Sequence, residues 1–151
     1  MTEVHDERGL AVLERQLDEW LAAIAASMPV EAIERGDGDE RRWYVRLRGE
    51  DKDFTTVWLT LGQRTLRYEA YVMPAPEECA GELYEQLLRR NEKLVGVHFA
   101  IGVEDAVFLR GELPNVALSA AELDRVIGTL YATVEQCFTG LLRIGFASRF
   151  A

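Results

Sequence analysis

Apolar residues recur at helical spacing in three stretches of the chain, one near each end and one in the middle. The first stretch is followed by Pro29, which stops a helix. The last opens with Ser119-Ala120-Ala121-Glu122, a capping box. The middle stretch, 77–93, has acidic residues in its first turn and basic residues in its last, which suits the helix macrodipole. The buried positions predicted for the first and last helices are Leu10, Leu13, Leu17, Trp20, Leu21, Ile24, Leu123, Val126, Ile127, Leu130, Val134, Cys137, Phe138 and Leu141.

Between the first two helices, apolar and polar residues alternate, which predicts three long antiparallel strands after a short one at Val30–Arg35. We interpret 49–53 as a loop and Gly62-Gln63 as a two-residue turn, and these lengths fix the strand registers. All aliphatic side chains then share one face. The rows predicted across the other face are Tyr44–Trp58–Arg67 and Arg46–Thr56–Glu69.

The remaining segments complete an α+β fold. Residues 97–101 and 106–113 predict a second hairpin before the last helix. The expected order is α-β-β-β-β-α-β-β-α, with the N- and C-terminal helices packed on an antiparallel sheet and a middle helix beside them. We expect one domain over residues 9–151, preceded by a flexible acidic terminus over residues 1–8.

Composition and charge narrow the classes of function. The 151 residues are 48% hydrophobic and 28% charged, which suits one domain with a sizeable core and excludes intrinsic disorder. The net charge of −9 argues against a general nucleic-acid or anionic-membrane binder. The charge is uneven, because residues 1–40 hold eleven acids and three bases, whereas 41–73 hold seven bases and four acids. No signal peptide or apolar run of about 20 residues is present, so we expect a reduced, cytoplasmic protein.

Catalytic and metal-binding patterns are absent from the sequence. It has no GxSxG, HExxH, Walker or GxGxxG motif, and two cysteines and two histidines far apart do not suggest a metal site. Cys79 lies near a helix N-terminus, where a thiol pKa is lowered, but an inert cysteine is the simpler interpretation. We therefore expect no enzymatic activity, cofactor or metal. The alternative is a ligand-binding or enzymatic domain with a pocket between helix and sheet, using Glu77 or His98.

The second face of the predicted sheet is the strongest candidate site. It mixes aromatic residues with arginine, a composition enriched in protein interfaces. A half-solvated face covered by its own neighbours or by a helix is the structural alternative, and an aromatic sheet that stacks nucleic-acid bases is a third. The residues predicted for a partner-binding face are Tyr44, Arg46, Trp58, Arg67, Tyr71 and Met73.

Several segments resemble the YbjN family of bacterial sensory transduction regulators, in its actinobacterial branch. They are 42–47 (RWYVRL), 56–62 (TVWLTLG), 71–74 (YVMP) and 143–147 (RIGFA), and the resemblance extends over about residues 10–150. It implies the type III secretion chaperone-like superfamily: an α+β domain, commonly dimeric, without enzymatic activity or cofactor, that binds a protein partner which the sequence does not identify.

The middle helix is the candidate dimer interface. Its apolar stripe is wider than packing on one sheet requires, and secretion chaperones of similar topology dimerise through the corresponding helix. We expect a homodimer, although the same stripe would also fit beneath a neighbouring strand. The residues predicted at the interface are Ala80, Leu83, Tyr84, Leu87 and Leu88.

Overall fold

The computed structural model describes residues 4–150, which form three α-helices and six strands. Short 3₁₀ turns connect or end some of them. In chain order the elements are α1 (Glu7–Ile24), β1 (Val30–Arg35), β2 (Arg41–Arg48), β3 (Phe54–Leu61), β4 (Thr65–Met73), α2 (Ala80–Asn91), β5 (His98–Ile101), β6 (Val107–Pro114) and α3 (Ala120–Gly145).

The six strands form one antiparallel sheet in the order β1-β2-β3-β4-β6-β5. The apolar stripes of α1 and α3 and the aliphatic face of the sheet make one hydrophobic core. The α+β class and the predicted order of elements are therefore confirmed. Trp43 lies in this core with no exposed surface, and its indole Nε1 donates a 2.7 Å hydrogen bond to Asp18 of α1.

The helix ends follow local capping chemistry. The Asp6 carboxylate accepts a hydrogen bond from Gly9 N at 2.8 Å, so α1 begins at Glu7 and the boundary expected at residue 9 lies inside the helix. Ser119 caps α3 as predicted, accepting from Glu122 N at 3.1 Å.

The middle helix is shorter than the predicted 77–93. Cys79 adopts a left-handed conformation (φ 52°), so the chain turns there and α2 spans Ala80–Asn91. Glu77 therefore precedes the helix and binds Arg149 in a bidentate ion pair, with N–O distances of 2.7 and 2.8 Å. The interpretation of Glu77 as a first-turn helix charge is wrong.

One of the two predicted registers is confirmed. Strands β2 and β3 pair as expected, with Tyr44 opposite Trp58 and Arg48 opposite Phe54. The β3–β4 register is wrong by two residues, because Gly62 N donates to Thr65 O and the two-residue turn is Gln63-Arg64. A shift of two keeps every side chain on its predicted face. The rows become Tyr44–Trp58–Glu69 and Arg42–Thr60–Arg67.

The prediction of Met73 on the second face of the sheet is also wrong. An irregularity in the β4–β6 pairing between Tyr71 and Met73 breaks the alternation, and Met73 lies in the core with no exposed surface. A β-carbon at Gly145 would lie 3.1 Å from Met73 Cε, so α3 approaches this side chain closely.

The two edges of the sheet differ. At the β5 edge, the side-chain amide of Asn91 accepts a hydrogen bond from Phe99 N at 2.7 Å and donates one to Phe99 O at 3.3 Å. A side chain of α2 thus takes the place of a neighbouring strand at the centre of β5. The β1 edge has a register irregularity after Val30 and carries charged side chains, both of which discourage strand pairing.

Candidate partner-binding face

The side of the sheet opposite the hydrophobic core is called the open face below. It is formed by alternate residues of β2, β3, β4, β5 and β6. Trp58 is 37% exposed and Tyr71 is 38% exposed, which is unusual for large aromatic residues at the centre of a sheet. The side chains on the open face include Arg42, Tyr44, Arg46, Trp58, Thr60, Arg67, Glu69, Tyr71, His98, Phe108, Arg110 and Glu112.

Aromatic residues form two pairs on the open face. Tyr44 and Trp58 pack edge to face, with ring centroids 5.7 Å apart. Tyr71 packs in the same way on Phe108 at 5.6 Å, and burial raises the pKa of the Tyr71 phenol. The structure thus brings Tyr44 and Trp58 together as predicted. Because of the register shift, Arg67 shares their face but lies one row farther along.

The arginines of the open face are held in different ways. Arg42 donates from Nε to Thr60 Oγ1 and pairs with Glu40, and Arg110 pairs with Glu69 at 2.8 Å. The Arg46 guanidinium instead lies over the Phe54 ring, 3.8 Å from its centroid. Among residues 4–150, no carboxylate lies within salt-bridge distance of Arg46 or Arg67. These two cations are therefore available to a partner.

A groove of about 850 Å³ runs along the open face from β2 to β5. Trp58 and Thr60 contribute to its lining, and the exposed His98 lies at its far side. Its charged side chains are Arg42, Arg67, Glu69, Arg110 and Glu112. Glu77 does not line this groove, so the two residues of the enzymatic alternative are not brought together.

Lys52 supports one end of the open face and was not predicted. Its ammonium donates to Tyr71 O at 2.6 Å and lies 5.0 Å from the centroid of the Tyr71 ring. Burial lowers the pKa of Lys52 to about 8. The loop that carries Lys52 is fixed by Glu135 of α3, whose carboxylate accepts from the backbone N–H groups of three successive residues, 50–52. A charged residue in a loop gives no sequence signal for such a role.

The two cysteines lie apart. Cys79 is exposed, whereas Cys137 is buried in α3, where burial raises the pKa of its thiol to about 11. Within residues 4–150, no three histidine, cysteine, aspartate or glutamate side chains are grouped so as to hold a metal ion. Within residues 4–150, no helix is both long enough and apolar enough to cross a membrane.

The predicted dimer stripe on α2 is only partly available. Leu83 and Leu87 are buried in the chain's own core, because α2 packs on α3 and β5, so their assignment to an interface is wrong. Ala80 and Tyr84 are half-buried, and Leu88 is 71% exposed. Val95, just after α2, is likewise exposed.

Comparison with known proteins identifies relatives by sequence. An uncharacterized protein of Mycobacterium tuberculosis is 36% identical over 104 residues, which cover 69% of this chain and 57% of that protein. An uncharacterized protein of Mycobacterium leprae is 33% identical over 107 residues, covering 71% of this chain and 58% of that protein. The match thus spans somewhat more than half the length of these relatives.

Solved structures share the fold. The ExsC–ExsE complex contains a chain that matches with a TM-score of 0.61 and 18% identity, covering 85% of this chain and 96% of that one. The ExoU–SpcU complex of the Pseudomonas aeruginosa type III secretion system gives a TM-score of 0.55 and 16% identity, covering 82% and 95%. A chain of the complex of the Yersinia pestis type III secretion chaperone SycH matches with a TM-score of 0.50 and 19% identity, covering 77% of this chain and 94% of that one, so the fold is that of a type III secretion chaperone.

The family model YbjN, described as "Putative bacterial sensory transduction regulator", matches residues 11–143. This range runs from the first turns of α1 almost to the end of α3 and includes every strand. The chain belongs to the YbjN family.

Proposed function

We propose that the protein is a non-enzymatic, chaperone-like binding or regulatory module that acts in the cytoplasm and holds a partner protein on its open face. The observation that carries this proposal is the exposure of Trp58 beside two arginines that have no carboxylate partner in residues 4–150. Aromatic and arginine side chains contribute most of the binding energy at protein interfaces.

The solved neighbours support a protein as the partner. Two of them are complexes named for two proteins, ExsC with ExsE and ExoU with SpcU. We extend from them only the class of ligand, a polypeptide, because their identity to this chain is below 20%.

The geometry of the groove favours binding over catalysis. His98 lies at an exposed strand edge, and Glu77 is engaged by Arg149, which lowers the pKa of its carboxyl. A general acid or base works best when its pKa lies near the working pH, and a lowered carboxyl pKa is farther from it.

We further propose that the protein forms a homodimer through α2. Leu88 projects from the helix with 71% of its surface exposed, beside the half-buried Tyr84 one turn earlier. A two-fold interface would bring each Leu88 close to its counterpart, so a single substitution at Leu88 would change the interface at two places.

Site-specific photo-crosslinking in a mycobacterial host tests the open face. A photoreactive phenylalanine analogue at Tyr71 should give a discrete adduct, whereas the same analogue at Val12, an exposed α1 residue, should not. Adducts of equal yield at both positions, or none at Tyr71, would contradict the proposal.

A further inference from the structure

We propose that the open face recognises an extended acidic segment of its partner, with one carboxylate on Arg46, another on Arg67 and an apolar side chain between them on Trp58. This inference rests on the proposed function, since it names the chemistry of the polypeptide that the face would hold.

Charge complementarity is the first step. Strand β2 places Arg42, Arg46 and Arg48 on the open face, where Arg42 pairs with Glu40 and Arg48 with Glu31 while Arg46 has no carboxylate partner within residues 4–150. Residues 41–73 are net positive in a chain of net charge −9. A basic strip on an acidic molecule attracts an acidic segment locally, while the rest of the surface repels it. The field therefore directs an acidic ligand to the open face.

The strand register sets the spacing. Arg46 lies opposite Thr56, and Arg67 lies opposite Thr60, on either side of Trp58 along β3. With strands about 4.8 Å apart and a rise of about 3.4 Å per residue, the two arginine Cα atoms are roughly 17 Å apart along a diagonal.

An extended peptide matches this diagonal. Alternate residues of such a peptide face the same side, and each step of two advances by about 6.8 Å. The Arg46 guanidinium lies over Phe54, on the side of Thr56 away from Trp58, so the charged groups are farther apart than the Cα atoms. Residues i and i+6, about 20 Å apart, therefore reach the two arginines, and residue i+4 lies over Trp58. The recognised pattern is an acidic residue, three residues of any kind, an apolar residue, one residue of any kind and a second acidic residue.

The side chains are preorganised for this ligand. The Arg46 guanidinium is held 3.8 Å from the centroid of the Phe54 ring, and within residues 4–150 no carboxylate lies within salt-bridge distance of it. Glu69 and Glu112 in the groove disfavour a continuous phosphate backbone, whereas a peptide with spaced carboxylates avoids them. The arrangement therefore favours an acidic peptide over a nucleic acid.

Fluorescence anisotropy with defined probes tests the inference on the full chain. The probe is a fluorescein-labelled peptide with Asp-Ser-Ser-Ser-Phe-Ser-Asp between glycine–serine flanks. The comparison probes replace both aspartates by asparagine, place the aspartates side by side, or are a labelled oligothymidylate. We expect the first peptide to bind most tightly, with an affinity that falls as salt is added.

Charge reversal assigns the binding to the face. Arg46→Glu and Arg67→Glu should each weaken binding about tenfold, because a favourable charge pair becomes a repulsive one. Arg15→Glu, on the exposed side of α1, changes the net charge equally and should leave the affinity within about twofold. Melting curves check that each variant is folded, and Arg67→Gln provides a milder change.

Three results would overturn the inference: equal binding of the asparagine peptide, an equal loss in Arg15→Glu, or tighter binding of oligothymidylate. The crosslinking experiment at Tyr71 distinguishes failure of the acidic-ligand inference from failure of the proposed protein-binding function. A position-specific adduct whose linked segment is not acidic would refute the acidic ligand and leave the protein-binding function standing.

Discussion

At the scale of the residue, the two tryptophans of neighbouring strands provide a matched pair. Trp58 faces outward and is 37% exposed, whereas Trp43 is fully buried and bonded to Asp18. Trp43→Ala should lower the free energy of unfolding by about 3–5 kcal/mol, the usual cost of a large core truncation, and Trp58→Ala by clearly less. Urea unfolding measures both. Equal losses would mean that Trp58 is a structural residue rather than a binding one.

Lys52 makes stability depend on pH. Its pKa is lowered to about 8 by burial, so between about pH 8 and its ordinary pKa of 10.5 the unfolded chain binds more protons than the folded one. The Lys52 contribution to the free energy of unfolding therefore increases as pH rises through this window.

The comparison with Lys52→Met isolates this group from the tyrosines and Cys137, whose raised pKa values act in the opposite direction. The stability of wild type relative to Lys52→Met should increase between about pH 7 and pH 10, measured by chemical denaturation. A difference that stays constant across this range would contradict the prediction.

Sequence pattern placed residues on faces better than it placed them beside one another. Tyr44 and Trp58 follow from alternation and the length of one loop. The prediction for Met73 was wrong because an irregularity in β4 breaks the alternation from which its face was predicted. The sequence gives no signal for the contact of Lys52 with Tyr71. This contact depends on the position of the 49–53 loop, which is held by Glu135, a residue distant in sequence.

At the scale of the element, the apolar stripe of α2 contains both residues of the core and a residue of the proposed dimer interface. Leu87 is 4% exposed and belongs to the core, and Leu88 beside it is 71% exposed. Leu88→Glu should give a folded, soluble monomer by size-exclusion light scattering, because it places a charge at the proposed interface. Leu87→Glu should instead unfold the chain, since it buries a charge without a partner. A wild type that elutes as a monomer at high micromolar concentration would contradict the dimer.

The elements themselves were predictable wherever their signals are local. Pro29, the Ser119 cap and the strand alternation lie within a few residues of what they determine. The β3–β4 turn was misplaced by one residue because Gly62 and Gln63 both suit a tight turn, and only the Gly62–Thr65 pairing decides between them. The start of α2 depends on the left-handed Cys79, which propensity does not favour.

At the scale of the whole molecule, the pairing of distant strands builds the open face. Strand β6 inserts between β4 and β5, which places Arg110 opposite Glu69 and Phe108 opposite Tyr71. Periodicity predicts the second hairpin, formed by β5 and β6, but it does not predict which of the strands β1–β4 this hairpin pairs with. The groove, and the presence of Arg110 in its lining, could therefore not be predicted from the sequence, whereas the fold class could.

The Asn91 amide sets how many copies of the sheet can join. In the language of polymer chemistry, a sheet with two reactive edges grows without limit, and one with a single reactive edge terminates at a pair. Asn91 occupies the Phe99 N–H and C=O groups, so β5 is an end-capped terminus, whereas the β1 edge is protected only by its irregular register and its charged side chains.

Asn91→Ala removes this end cap and should convert chain termination into growth, seen as concentration-dependent light scattering after mild heating. Gln86→Ala removes an amide of the same helix that makes no hydrogen bond to β5 among residues 4–150, and it should leave the scattering unchanged. Equal scattering from the two variants would show that the edge is closed by something else. The consequence is that a single amide on α2 fixes an upper limit on edge-to-edge assembly for the whole molecule.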